Sequence, residues 1–286
     1  SALLCGQFRL ARSLCEEAAQ LLREQCVGAP WESATHELFV LWALSYLGEL
    51  ELLAARVERR TREADERGDV YIGVCLRAGI NHAAWLREGD VARAEDALEQ
   101  ARARWPAHEG FHNQDWWNLD LYRDTPAAAH ERLERAWSSL RRSLVVAVQI
   151  TDAETLALRG RIAVALARHE RGDARSAALE RGEHMARRLR RMDAPVARPY
   201  AAAVEGAVAR QRGHLAAAKA HLEEALGGFA RLDMMAYAAS ARRALGELLG
   251  GDEGAALRAM ADQWFAGQGV AAPEGYGRMY VPGCEP

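Results

Sequence analysis

Five consecutive residues carry a spacing with catalytic meaning: His108-Glu109-Gly110-Phe111-His112. On a helix, two histidines four apart share a face and can hold a Zn2+ ion while the glutamate activates its bound water. Glu131, nineteen residues past His112, stands where some zinc proteases place a third ligand. Such a site needs one continuous helix beneath both imidazoles, and Pro106 and Gly110 oppose that. Two solvent-facing histidines at a helix start are expected instead. Zinc-dependent hydrolysis by His108, Glu109 and His112 stands as the alternative; the main expectation is a chain with no resident metal or cofactor and no catalysis.

The second chemistry on offer is anion binding. Arg187-Arg188-Leu189-Arg190-Arg191 is the densest basic run, with Arg59-Arg60 and Arg141-Arg142 behind it, and clustered arginines can hold phosphates. Glu180 and Glu183 precede the first run, however, and Glu58 and Glu63 flank the second. Cations also complement the dipole at a helix C-terminus, so solvated helix ends are expected, and a nucleic-acid or small-molecule sensor is a further alternative. The formal net charge of −3 provides no long-range pull on nucleic acid or an anionic membrane. Cys5, Cys15, Cys26, Cys75 and Cys284 include no CxxC pair and are odd in number. That fits free thiols filling core space in a reducing cytoplasm. No apolar run is long enough for a membrane span. The chain opens on Ser-Ala-Leu-Leu-Cys, inside an apolar run, as a piece of a longer protein would.

The elements that must position any of these residues are legible as a repeat. Turn marks recur at Gly6-Gln7-Phe8, Gly48-Glu49-Leu50, Gly89-Asp90-Val91, Asp124-Thr125-Pro126, Gly172-Asp173-Ala174, Gly213-His214-Leu215 and Gly250-Gly251-Asp252. They fall about forty residues apart, the spacing of a helical-hairpin repeat. Glycine suits the left-handed end of one helix, and Asp or Thr caps the next. Five positions past the marks stand Ala11, Ala94, Ala129, Ala177 and Ala218; twelve past stand Ala18, Ala101, Ala136 and Ala225. An offset of seven is two helical turns, so each pair forms one small-residue stripe that lets a neighbouring helix approach.

The spacing predicts helices over 7–26, 31–47, 49–67, 70–88, 90–105, 111–123, 126–141, 144–171, 173–192, 196–212, 214–231, 234–249 and 252–267. The fold class is therefore all-α: an α-solenoid of antiparallel hairpins sharing one core. Residues 1–268 form the repeat domain, with about seven hairpins of which the first is truncated. Pro273, Gly275, Gly277, Pro282 and Gly283 argue for an extended C-terminal tail over 269–286, folded back through Val270, Met279, Tyr280 and Val281.

With Trp85 four residues before its turn and Pro106 seventeen after it, the Gly89 unit resembles the tetratricopeptide repeat; the units at Gly6, Asp124 and Gly213 match in part. Those at Gly48 and Gly172 depart from it, with Leu53, Arg60 and His184 at alanine positions. Two segments resemble something narrower. They are Phe111-His112-Asn113-Gln114-Asp115-Trp116-Trp117 with Asp120 to Asp124 and Trp137 to Ser143, and Gln268-Gly269-Val270 with Pro273-Glu274, Arg278-Met279 and Pro282-Gly283. Together they are similar to the C-terminal repeat region of large bacterial serine/threonine protein kinases with a central ATPase module. That resemblance implies a regulatory or sensory arm; the chain itself has no GxGxxG, HRD, DFG or GxxxxGK[ST] motif.

In tetratricopeptide stacks the first helix of each hairpin lines a concave groove. The resemblance places there Phe39, Trp42 and Tyr46, then Arg87, then Gln114, Asp115, Asn118 and Tyr122, then Arg159 and His169, then Tyr200 and Arg210. Polar side chains can satisfy a peptide backbone while aromatic ones supply contact area. The expected partner is a protein or peptide, or another domain of the same parent chain. Packing of Phe39, Trp42 and Tyr46 between helices remains the alternative for those three.

Overall fold

The computed structural model describes residues 2–26, 28, 30–105, 109–142 and 147–284, and the backbone alone for residues 23, 30 and 109–115. It is all helical, with no strand among the described residues. The helices are α1 (Phe8–Gln25), α2 (Pro30–Leu47), α3 (Leu50–Arg67), α4 (Val70–Arg77), α5 (Val91–Arg104), α6 (Glu109–Tyr122) and α7 (Pro126–Arg142). There follow α8 (Gln149–His169), α9 (Gly172–Arg190), α10 (Ala197–Gln211), α11 (Leu215–Arg231), α12 (Met235–Leu249), α13 (Gly251–Gly267) and α14 (Pro273–Tyr280). Leu3–Cys5 and Gly79–Leu86 are 3-10 segments.

The glycine marks do what their residue type predicts. Of the expected caps only Asp90 does, since Asp173 and Asp252 lie within the first turns of their helices and the Thr125 hydroxyl donates to the Asp120 carbonyl at 3.0 Å. Gly6, Gly48, Gly89 and Gly213 have φ of 72°, 75°, 74° and 80°, left-handed values that cost a side chain about 1 kcal/mol or more. Asp124 takes the same region at φ 59°, the exception aspartate tolerates best. The carboxylates of Asp69 and Asp90 accept from the backbone N–H groups of Ile72 and Arg93 at 3.0 Å, capping α4 and α5.

Three expectations need correction. The helix expected over 70–88 is broken, because Gly79 takes φ 75° and the chain resumes as a 3-10 segment. Gly110 does not interrupt α6, which begins at Glu109 and runs through it. One glycine costs a helix only about 1 kcal/mol, and Trp116, Trp117, Leu119 and Leu121 on the same helix are buried. The tail is not extended: Pro273 starts α14, and Tyr276, Met279, Tyr280 and Val281 are buried. Proline suits the first helical turn, and burial of large side chains offsets the cost of Gly275 and Gly277.

The helices form two layers. Apart from the added α4, each 3-10 segment or helix preceding a turn mark (Gly79–Leu86, α6, α8, α10, α12, and α2 before them) is an inner element. α8, α10 and α12 bury residues on nearly every side. The outer helices bury single stripes: Leu53 and Val57 on α3, Ala94 and Ala101 on α5, Ala129 and Ala136 on α7, Ala218 and Ala225 on α11. On α9 the stripe is shifted by one residue, with Ala178 buried and Ala177 half-buried.

The first and last hairpins then meet. α2 touches α12, and Leu3–Cys5 touches α8. The backbone N–H of Leu50 donates to Gln268 Oε1 at 3.0 Å, and Arg9 pairs with both carboxylate oxygens of Asp233 at 2.6 and 2.8 Å. The row of hairpins is thus closed on itself, with α14 against α6, α8, α12 and α13. No helix among the described residues is long and apolar enough to cross a membrane.

Candidate binding site on the concave face

The inner elements carry an aromatic and polar lining, and the chain's own C-terminal segment fills it. Six of the seven tyrosines gather there: Tyr46, Tyr122, Tyr200, Tyr237, Tyr276 and Tyr280. Tyr237 bridges the lining and the segment, 5.3 Å from the Tyr200 ring and 4.1 Å from that of Tyr280. Tyr276 sits between Tyr122 at 5.9 Å and Phe265 at 5.6 Å. Such offset and edge-to-face pairs add to the burial of the rings themselves.

Main-chain hydrogen bonds hold the segment along its length. Ala271 N–H donates to the carbonyl of Arg87 at 2.9 Å. Arg161 Nη1 donates to the Met279 carbonyl at 2.5 Å and Gln211 Nε2 to that of Gly283 at 3.4 Å. In the other direction, the Tyr276 hydroxyl donates to the carbonyl of Ala83 at 2.6 Å and Arg278 Nε to that of Tyr122 at 3.0 Å. Gly275 lies flat on the Tyr122 ring: a Cβ there would stand 2.5 Å from Cζ and 2.8 Å from Cδ2, far inside contact distance.

At the centre, the Tyr46 hydroxyl donates to Glu154 Oε1 at 2.5 Å. Loss of hydration raises the Glu154 carboxyl to about 7, against opposing pulls from Tyr46 and the Arg161 charge. Burial likewise pushes the Tyr46, Tyr200 and Tyr276 phenols well above the usual range. They are therefore neutral at any physiological pH, and Tyr46 and Tyr276 act as hydrogen-bond donors.

The expected lining residues are distributed unevenly. Tyr46, Tyr122 and Tyr200 are buried in this lining, and Arg87 meets the segment through its carbonyl and through Nη1, 3.5 Å from the carbonyl of Gln268. Asn118 lies one turn before Tyr122 on α6 and is half-buried. Phe39 and Trp42, three residues apart on α2, meet edge-on at 5.1 Å, and both lie half-buried against the hydrophobic core. Arg159 points elsewhere: its guanidinium stacks on Trp137 of α7 at 3.7 Å. Two residues farther along α8, Arg161 makes the contact instead. Arg210 is half-buried and His169 pairs with Asp124 at 3.2 Å at the turn. The side chains of Gln114 and Asp115 lie outside the described residues, as do all of His108 and the side chains of Glu109 and His112.

Sequence reasoning missed Glu154, Arg161, Tyr237 and Tyr276, while Tyr280 was expected in the folded-back tail and is buried there. The only signal available was the density of tyrosine in the last repeat and tail. Beside the segment lies a cleft of about 20 Å3 lined by Arg243, Glu247, Glu274 and Arg278, and a larger one of about 200 Å3 opens beside Trp85, Arg87 and Arg93. The basic run ends α9: Arg187, Arg188 and Arg191 are exposed, while Arg190 binds Glu205 and Glu224. Those two glutamates with His221 form a cluster that could ligate a metal, but Arg190 already pairs with both carboxylates. Compared with known proteins, the chain matches no family model, no curated protein and no solved structure.

Proposed function

We propose that this chain is a non-catalytic, tetratricopeptide-like module that binds a polypeptide segment on its inner face. In this reading it is the regulatory or sensory C-terminal arm of a larger cytoplasmic bacterial signalling protein carrying kinase and ATPase parts. One observation supports the binding role: the inner face already grips a polypeptide segment, its own, with Arg161 and Gln211 donating to its Met279 and Gly283 carbonyls and the Arg87 carbonyl accepting from its Ala271 N–H, between aromatic rings. Main-chain recognition of that kind is indifferent to which chain supplies the segment, and the rings add contact area. The placement in a signalling protein rests on the resemblance of residues 111–143 and 268–283 to kinase-associated repeat regions.

The test is a peptide selected from a random display library against the intact protein, followed by substitution. Asn118→Ala and Tyr122→Ala are expected to weaken binding by about tenfold or more in samples that retain their helical signal, as for residues at the centre of an interface. Arg191→Glu, at the exposed end of α9, is expected to leave it unchanged. The opposite pattern would place binding on the outer surface and end this reading.

A further inference from the structure

Residues 270–284 enter after Gln268 and Gly269, the latter at φ 67°, and cross the inner face beneath α6, α8 and α12. The pattern that fits is specific. Gly275 gives the Tyr122 ring its space, and Tyr276 and Tyr280, one helical turn apart, insert among Tyr122, Phe265 and Tyr237. Arg278 between them reaches the Tyr122 carbonyl.

The seat also holds polar capacity that this occupant leaves unused. Arg161 is 6% exposed, yet its Nε has no hydrogen-bond partner. Arg87 Nε and Gln211 Oε1, on two other inner elements, are in the same condition. All three side chains already use another of their polar atoms on residues 268–283. Other buried polar atoms of the protein also lack a partner, but these three belong to side chains that already hold the segment, so the seat keeps hydrogen-bonding capacity directed at whatever segment lies in it.

We propose that residues 270–284 are a resident ligand, and that their seat receives a short helical segment of a partner protein with the same chemistry: glycine, an aromatic residue beside it, an arginine, and a second aromatic one turn on. This rests on the inner-face reading above and names its ligand. The resident segment, tethered through Gln268 and Gly269, competes at high effective concentration. A partner therefore binds only when its segment fits better or when the tether releases.

The experiment uses the full chain and a fluorescein-labelled peptide of residues 269–284 as probe. Gly275→Leu is expected to evict the segment, because even a Cβ collides with Tyr122. Trypsin should then cut at Arg278 at least about tenfold faster than in the unaltered protein, and fluorescence anisotropy should show probe binding at least about tenfold tighter. A second variant carries a protease site between Gly269 and Val270. After cleavage its segment should exchange for the probe while the helical signal persists.

If Gly275→Leu stays folded and frees the segment but takes up no probe, the inference fails. It fails equally if the cleaved chain unfolds as the segment leaves, which would make residues 270–284 core. The inner-face reading has its own test in the library peptide and in Asn118 and Tyr122, so its failure and this one are distinguishable.

Discussion

Tyr46 and Glu154, 108 residues apart, meet at 2.5 Å, and this bond ties α2 of the first complete hairpin to α8, the fourth inner element. Tyr200 from α10, Tyr237 from α12 and Arg161 from α8 share the surroundings of the carboxyl. Its folded-state pKa of about 7 lies above the unfolded value, so the folded state holds the proton more tightly. For a carboxyl shifted upward the sign is fixed: its contribution is most favourable below the unfolded pKa and declines as pH rises to about 7. Glu154→Gln cannot ionise and keeps an acceptor for Tyr46. Its stability relative to the unaltered protein is expected to grow between about pH 4.5 and 7, by on the order of 2 kcal/mol after allowing for partial exposure. Urea melts of both proteins at several pH values would measure the difference directly; a constant difference would contradict the assignment.

Burial of Tyr276 supplies a second prediction. Its ring is fully buried and its hydroxyl donates to Ala83 at 2.6 Å. Tyr276→Phe keeps the ring and strands one carbonyl, a loss of about 1–3 kcal/mol. Tyr276→Ala removes the ring, and the same segment should become protease-sensitive at Arg278. Limited trypsin digestion separates the two: rapid cleavage in the Phe variant would show that the hydrogen bond, and not the ring, holds α14.

α12 and α13 cross at two glycines. A Cβ on Gly254 would collide with the carbonyl oxygen of Gly246, and a Cβ on Gly246 would come within 2.7 Å of the carbonyl oxygen of Gly254. Because the obstacle is backbone, no rotamer change relieves it. Gly254→Ala should lose about 1–3 kcal/mol or more despite alanine's better helix propensity. Gly267→Ala, on the same α13 with nothing within 4 Å of its added Cβ, should be neutral or slightly stabilising. Thermal melts of the pair provide the comparison.

Metal removal is expected to change nothing. Pro106 lies just ahead of His108, and Glu131, the residue spaced as a third ligand, is exposed on α7 beside Arg135 at 3.8 Å. Elemental analysis should find no stoichiometric zinc, and a chelator should leave the melting temperature unmoved. One zinc per chain, lost in His112→Ala, would reverse this.

What could be read from the residues alone was local chemistry. Gly6, Gly48, Gly89 and Gly213 sit at left-handed φ, and Asp90 caps α5, because those conformations are chosen within four or five residues of chain. The alanine stripes of α5, α7 and α11 follow for the same reason, since helical periodicity alone puts them on one face. Tyr46, Tyr122 and Tyr200 were legible as inner-face residues by counting back from the turns. Arg159 was not separable from Arg161, because a two-residue difference on one helix swings the side chain by more than half a turn, and only the position of Trp137 decides which way it lies.

Tertiary structure decided the rest. Whether the row of hairpins stays open or closes depends on small angles accumulated over every repeat, and on pairs such as Arg9 with Asp233, 224 residues apart, that no local pattern announces. α14 is the sharpest case. With Gly275 and Gly277 in eight residues it has poor intrinsic helicity, and so short a helix is unstable alone in water. It forms because the lining built by distant hairpins buries Tyr276, Met279 and Tyr280 and hydrogen-bonds its ends, a free energy that exists only once the inner face has been assembled.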